Sequence, residues 1–166
     1  MTNKASLIIK ISSTYKLQCC FVEKDSKETV IHLHNKTQEE YLLSSSLRDK
    51  NSSIEFAEDL FTKPQDFKLY EIELYGTKYT VIAEVLFSLI INEFKEQIEK
   101  EYIIENTIVQ LPFNNLKVNS RIIIALNAIG LQEIQLEDEG DEFDFDYSKQ
   151  GEILQEILIK IGRAHV

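Results

Sequence analysis

The first third of the chain alternates short apolar runs with polar breaks. Leu7–Ser12, Leu17–Lys24 and Thr29–His34 each read as a strand, rich in β-branched and apolar residues. Ser12-Ser-Thr-Tyr-Lys16 and Asp25-Ser-Lys27 join them as turns, giving an antiparallel meander. Asn35–Ser53 is polar, with a weak strand at Tyr41-Leu-Leu43. Ser53–Thr62 fits a short helix, since Ile54, Ala57, Leu60 and Phe61 share one face, and Pro64 ends it.

The pattern then changes. Leu69–Leu74 and Lys78-Tyr79 flank Gly76-Thr77 as a tight hairpin. Thr80 is placed to cap a helix running to about Tyr102. Its apolar stripe is Ile82, Val85, Leu86, Leu89, Ile90, Phe94 and Ile98, at intervals of three and four, and Glu93, Lys95, Glu96, Glu99 and Lys100 form the wet face. A buried strand, Thr107–Leu111, stops at Pro112. A helix from about Ser120 to Ile129 follows, with Gly130 as its C′ residue. Leu131–Leu136 reads as a strand and Glu137–Asp146 as an acidic run. Asp146 or Ser148 caps a last helix with Ile153, Leu154, Ile157, Leu158 and Ile161 inward. The order predicts an α/β domain: a mixed sheet with an N-terminal antiparallel meander and covering helices.

At 166 residues, 43% hydrophobic and 28% charged, this is a single domain's worth of chain with an ordinary globular composition. No apolar run approaches the ~20 residues needed to cross a bilayer. The formal charge of −10 argues against nucleic acid and anionic membranes as partners. Cys19 and Cys20 are adjacent, so an ordinary disulfide between them is geometrically disfavoured. They fit a reduced, cytoplasmic chain with one core thiol. The end of the chain, Ile161-Gly-Arg-Ala-His-Val166, is what the codons ATC GGA AGA GCA CAC GTC encode, a string resembling a sequencing-library adapter. Residues 161–166 therefore read as a non-native tail and residues 1–160 as the domain, the start of a longer protein.

Five segments, in order, carry a resemblance. Ile9-Lys-Ile-Ser-Ser-Thr-Tyr15 looks like I-D-L-G-T-T-Y. Thr80–Tyr102 is similar to a long helix opened by [ST]-P-E-E, lacking the Pro and the first Glu. Thr107–Pro112 looks like V-V-I-T-V-P, and Ala125–Leu131 like A-x-x-x-A-G-L with Ile129 for the second Ala. Ala57-Glu-Asp-Leu-Phe-Thr-Lys63 looks like A-K-R-L-I-G-R. Together they resemble the seventy-kilodalton heat-shock chaperone family, in the first lobe of its actin-like ATPase fold, a ribonuclease-H-like sheet. The resemblance implies that Ser12, Ser13, Thr14 and Tyr15 line the phosphate side of an ATP or ADP site. It also implies a second lobe of the same protein, with client proteins or co-chaperones as partners.

The departures are chemical. Lys10 stands for the motif's aspartate, Ser12 for its glycine, and Glu58 for the catalytic lysine. The arginine that opens the family's later helix has no exact counterpart: Asn119 holds its spacing and Arg121 comes two residues late. The acidic run stands where N-E-P-T-A-A-A would follow. An aspartate would organise magnesium and its waters, whereas a lysine repels the metal and attracts phosphate directly. A glutamate repels a γ-phosphate. The expectation is a pseudo-ATPase or weak ATPase acting in protein folding or its regulation, with no catalytic residue assigned at the degenerate positions Lys10 and Glu58 and with magnesium disfavoured. Two other readings stay open: an interaction scaffold with the same fold and no nucleotide, and an active ATPase with rearranged residues. So do two placements of Lys10 and Glu58, as a facing charge-swapped pair or as separate solvated side chains.

Other constellations are weaker. His32 and His34 would share a strand face, but no third ligand stands at a telling spacing. Asp146–Ile157 partly mimics a calcium loop, with Gly151 at its sixth position but Ile157 where a bidentate Glu belongs. The acidic run reads as a solvated loop. An exposed apolar patch is expected on the last helix if a further lobe covers it.

Overall fold

The computed structural model describes residues 3–13, 16–33, 41–42, 60, 69–111, 116–136 and 148–164. Among the described residues the strands are β1 (Lys4–Ile11), β2 (Lys16–Val22), β3 (Thr29–Val30), β4 (Tyr41–Leu42), β5 (Leu69–Leu74), β6 (Thr77–Ile82), β7 (Ile103–Gln110) and β8 (Ile134–Leu136). The helices described along their length are α1 (Ala83–Glu99), α2 (Leu116–Ala128) and α3 (Ser148–Ala164). The main sheet runs β3-β2-β1-β7-β8, with β4 also pairing β2. β1 and β2 are antiparallel, as are β2 and β3, while β7 and β8 continue from β1 in parallel. The mixed sheet with an opening meander is thus as the sequence predicts.

Period-two geometry sets the faces of β1. Ala5, Leu7, Ile9 and Ile11 are buried in one core with Leu17 and Cys19 of β2, Val109 of β7 and the inner residues of all three helices. The other face carries Ser6, Ile8 and Lys10. Both cysteines are buried as thiols, so two are sequestered where the sequence suggested one. Burial, with Cys20 alongside, pushes the Cys19 thiol well above its usual pKa and keeps it protonated.

Several boundaries move. β6 is longer than Lys78-Tyr79 and takes Thr80 into the strand opposite Glu71, so Thr80 does not cap α1. Ile82 holds the N-cap position without a side-chain cap, and its own amide donates to Gln150 Oε1 of α3 at 3.1 Å. The hairpin turn is Tyr75-Gly76, both with positive φ, the twist that a two-residue connection requires. β3 covers only Thr29–Val30, although Ile31 N–H still donates to the Cys19 carbonyl of β2 at 2.8 Å. In the predicted helix Ser53–Thr62 only Leu60 is described, and it is fully buried.

The first ten residues of α1, Ala83 to Asn92, are buried on every side, because the helix lies between α2, α3 and the β5–β6 ribbon. The wet face of the sequence pattern, Glu93, Lys95, Glu96, Glu99 and Lys100, begins after them and is half-buried or exposed. The end of α2 follows the sequence closely. Gly130 has φ +90°, its amide donates to Asn127 O at 3.0 Å, and Leu131 N–H donates to Leu126 O at 3.1 Å. This is a complete Schellman cap, and buried Leu126 and Leu131 seal it. On α3, Leu154 and Ile157 are buried while Ile153, Leu158 and Ile161 are half-buried. Ile159 is 55% exposed. The helix continues through Ala164.

The most consequential contact inside the helix layer is ionic. Arg121 of α2 is the largest fully buried side chain among the described residues, and its Nη2 donates to Glu84 Oε1 of α1 at 2.5 Å. Its Nη1 donates to the Leu60 carbonyl at 3.2 Å. Glu84 Oε2 has no hydrogen-bond partner among the described residues. Removing one member of such a pair strands the other charge in a dry interior. Glu84→Gln is therefore expected to lower unfolding free energy by about 3–5 kcal/mol in urea titrations. The double replacement Glu84→Leu with Arg121→Met should lose much less.

Candidate functional site

A cleft of about 340 Å³ opens at one edge of the main sheet, lined by Lys10, Ile11, Ser12, Lys16, Gln18, Gln110 and Leu111. Its position follows from strand direction. β1 and β7 are parallel in the register Ile9 to Val109 and Lys10 to Gln110, so both run out at the same edge. β2 starts where β1 ends, with Lys10 opposite Gln18 and Ile11 opposite Leu17. Gln18, Lys10 and Gln110 therefore form a row across three adjacent strands, on the face turned away from the core that the helices share.

The bend between β1 and β2 is closed by its own backbone and one hydroxyl. Ser12 N–H donates to Lys16 O at 2.9 Å, and Lys16 N–H donates to Ser12 Oγ at 3.0 Å. Ser12 thus has a structural role of its own, because its side chain caps the turn. Ser13 lies on the bend, while Thr14 and Tyr15 fall outside the described residues. So do Pro112 and Glu58, and with Glu58 its proposed pairing to Lys10.

Lys10 has a partner that sequence reasoning missed. Its Nζ lies 2.6 Å from Glu28 Oε2, with the side chains 33% and 42% exposed. Glu28 directly precedes β3, and the meander brings it across β2 to Lys10. Lys16, Gln18 and Gln110 were also missed as lining side chains, although the end of the Thr107–Pro112 strand is where the resemblance puts the cleft. The signal for Gln18 was available, because it shares a strand parity with Lys16 beside the bend. The signal for Gln110 was not, since parallel pairing of distant strands leaves no local mark.

Chemically the cleft offers two ammonium groups, a hydroxyl and two carboxamides, with no carboxylate among the described lining residues. That set donates hydrogen bonds and carries positive charge on a chain of net charge −10. It suits phosphate oxygens. It does not suit a hard divalent cation, which needs oxygen anions as ligands. α2 and β8 return from β7 as a parallel crossover, which puts the start of α2, with its positive dipole end, at the cleft's edge of the sheet.

The other candidates separate. His32 lies beyond the end of β3, not on it, and His34 is outside the described residues. Among the described residues no group of His, Cys, Asp or Glu could hold a metal ion. The calcium-loop reading of 146–157 is overturned, because Gly151 is inside α3 and not in a turn. Among the described residues no helix is long and apolar enough to cross a membrane. No protein-family model matches the chain, and no curated protein does.

Ser12→Ala removes the acceptor for the Lys16 amide at the bend. A loss of about 1 kcal/mol in urea unfolding is expected. Faster amide exchange at Lys16 is the local sign.

Proposed function

We propose that this chain is a degenerate nucleotide-binding lobe of the actin-like ATPase fold, a divergent relative of the seventy-kilodalton heat-shock chaperones. One observation carries the reading. The β1–β2 bend and the Leu111 end of β7 lie at one edge of the sheet and line one cleft, as the resemblance of Ile9–Tyr15 and Thr107–Pro112 requires. The sheet order adds support: a meander on one side of β1, and parallel strands returning through a helix on the other. Open sheets of this kind take ligands outside the carboxyl ends of their strands.

In this reading the bend and the two lysines hold the phosphates of ATP or ADP. Hydrolysis is lost or severely weakened, because Lys10 stands where a carboxylate would gather magnesium and its waters. Glu84 and Arg121 do not supply a substitute, since each is buried in the helix layer and held by the other. The module acts in protein folding or its regulation, with a second lobe, client proteins or co-chaperones as partners. Two buried cysteine thiols agree with the reducing cytoplasm. The Lys10–Glu28 pair is the observation that favours the rival reading, a scaffold that binds no nucleotide, because it already gives Lys10 an anion.

Calorimetry and thermal shift with ATP and ADP, with and without magnesium, decide between them. The proposed function expects saturable heat, a raised melting temperature and no turnover. No heat and no shift under any condition would sink it in favour of the scaffold. Steady ATP hydrolysis abolished by Lys10→Ala would instead make the chain an active enzyme with rearranged residues.

A further inference from the structure

We propose that the cleft binds a linear di- or triphosphate as the bare anion, held directly by Lys10 and Lys16 without a divalent cation, and that Glu28 occupies part of the same place until the anion displaces it. The inference rests on the phosphate-binding reading of this cleft and goes further by naming the ionic form of the ligand and its intramolecular competitor.

Charge gives the first reason. Among the described lining residues the ionisable groups are Lys10 and Lys16, with neutral Ser12, Gln18 and Gln110 between and beside them. A magnesium ion brought in with the phosphates would face two ammonium groups, and Glu28, the carboxylate beside them, is held by Lys10. Its complex is also less negative than the free anion, so the lysines gain less from it. Both terms favour the uncomplexed form.

Geometry gives the second. Gln18, Lys10 and Gln110 sit side by side on β2, β1 and β7. Neighbouring strands are about 4.8 Å apart, so the row extends roughly 10 Å across the sheet. That is a bed for a chain of phosphates, with Lys10 in the middle, carboxamides on either hand, and Lys16 at the bend. A single phosphate would use only part of it.

Glu28 gives the third. Its Oε2 accepts from Lys10 Nζ at 2.6 Å, so a carboxylate oxygen already occupies the place beside Lys10 where a phosphate oxygen would bind. Both side chains reach solvent, and an ion pair so exposed contributes little to stability, so it can be exchanged. In the liganded protein the polyphosphate takes over the ammonium and Glu28 turns to water.

The test is titration calorimetry of the chain with inorganic tripolyphosphate and with ATP, each in EDTA and in excess magnesium. Both anions should bind in EDTA and bind several-fold more weakly in magnesium. Lys16→Ala and Lys10→Gln should each weaken binding about tenfold or more, as losing a charge-assisted hydrogen bond does. Glu28→Gln should act in the opposite direction and tighten binding about two- to fivefold, the fold-change expected for an exposed ion pair removed from competition. Lys16 and Glu28 are exposed, and circular dichroism of their variants separates a lost site from a lost fold. ATP bound only as its magnesium complex would overturn this inference and leave the nucleotide reading standing. The same holds for ATP binding that none of the lysine changes affects. Weaker binding in Glu28→Gln would overturn the competition. Failure of both anions in both buffers would overturn this inference and the nucleotide reading together. Tripolyphosphate binding matched by ATP assigns the contact to phosphate alone, whereas tighter ATP binding adds the nucleoside.

Discussion

β1 is hydrogen-bonded along both edges, antiparallel to β2 and parallel to β7, and that double pairing locates everything at the cleft. A strand so placed cannot slide by one residue without exchanging Leu7, Ile9 and Ile11 for Ser6, Ile8 and Lys10 in the core. Burying Lys10 among the helices would be far costlier than any gain in pairing. The register is thus held by the hydrophobic alternation of one eight-residue strand. Once it is held, direction does the rest. Antiparallel β2 brings Lys16 and Gln18 to the edge where β1 ends, and parallel β7 brings Gln110 and Leu111 there.

The helix layer is fixed by a different kind of contact. Arg121 and Glu84 join α2 to α1 where no water reaches, and the guanidinium also takes the Leu60 carbonyl. A buried ion pair gains little over well-packed apolar side chains. Its effect is selective, because an arginine with these partners fits in one arrangement of the two helices, whereas leucines would fit several. Ser88 reinforces the same junction, with its hydroxyl 2.8 Å from the Ala125 carbonyl and 2.9 Å from that of Glu84. α3 closes the layer through Gln150 on Ile82 and Gln155 on the Ala128 carbonyl, both at helix ends where backbone groups lack intrahelical partners. Lys160 reaches Thr77 at 2.8 Å and lies over the Tyr79 ring, tying the β5–β6 ribbon to the same helix.

The parts of this architecture that local chemistry governs were legible in the chain. Gly130-Leu131 marked the end of α2 because only a left-handed residue with an apolar successor completes that cap. The inward set on β1 and the existence of α1 followed from periods of two and about 3.6. Boundaries were less legible where tertiary contacts extend an element beyond its pattern. β7 begins at Ile103, earlier than its apolar core suggests, because Lys4 and Ala5 of β1 pair with it there. Thr80 reads as a cap by type, yet strand pairing with Glu71 claims it first. In the site, Ser12 was identified by resemblance and Lys10 as its damaged position. The partners Glu28 and Gln110 were not, since both lie far along the chain from Lys10 and meet it only through the sheet.

The same contrast explains how such a chain can keep a fold while its chemistry changes. The core of β1 depends on its odd-numbered residues, and the cleft on Lys10, Ser12 and the strand starts around them. These sets share a backbone but not a face. A substitution at position 10 therefore alters the charge of the cleft without touching Leu7, Ile9 or Ile11. The meander supplies what the altered charge needs: Glu28 arrives across β2 by ordinary antiparallel pairing and neutralises Lys10 at the surface. Ser12 is accommodated likewise, its hydroxyl turned to the Lys16 amide instead of blocking the bend. Lys10 and Ser12 thus each find a partner within three short strands. What the cleft can hold is decided by the charges on the even-numbered face of β1, separately from the core that holds the fold.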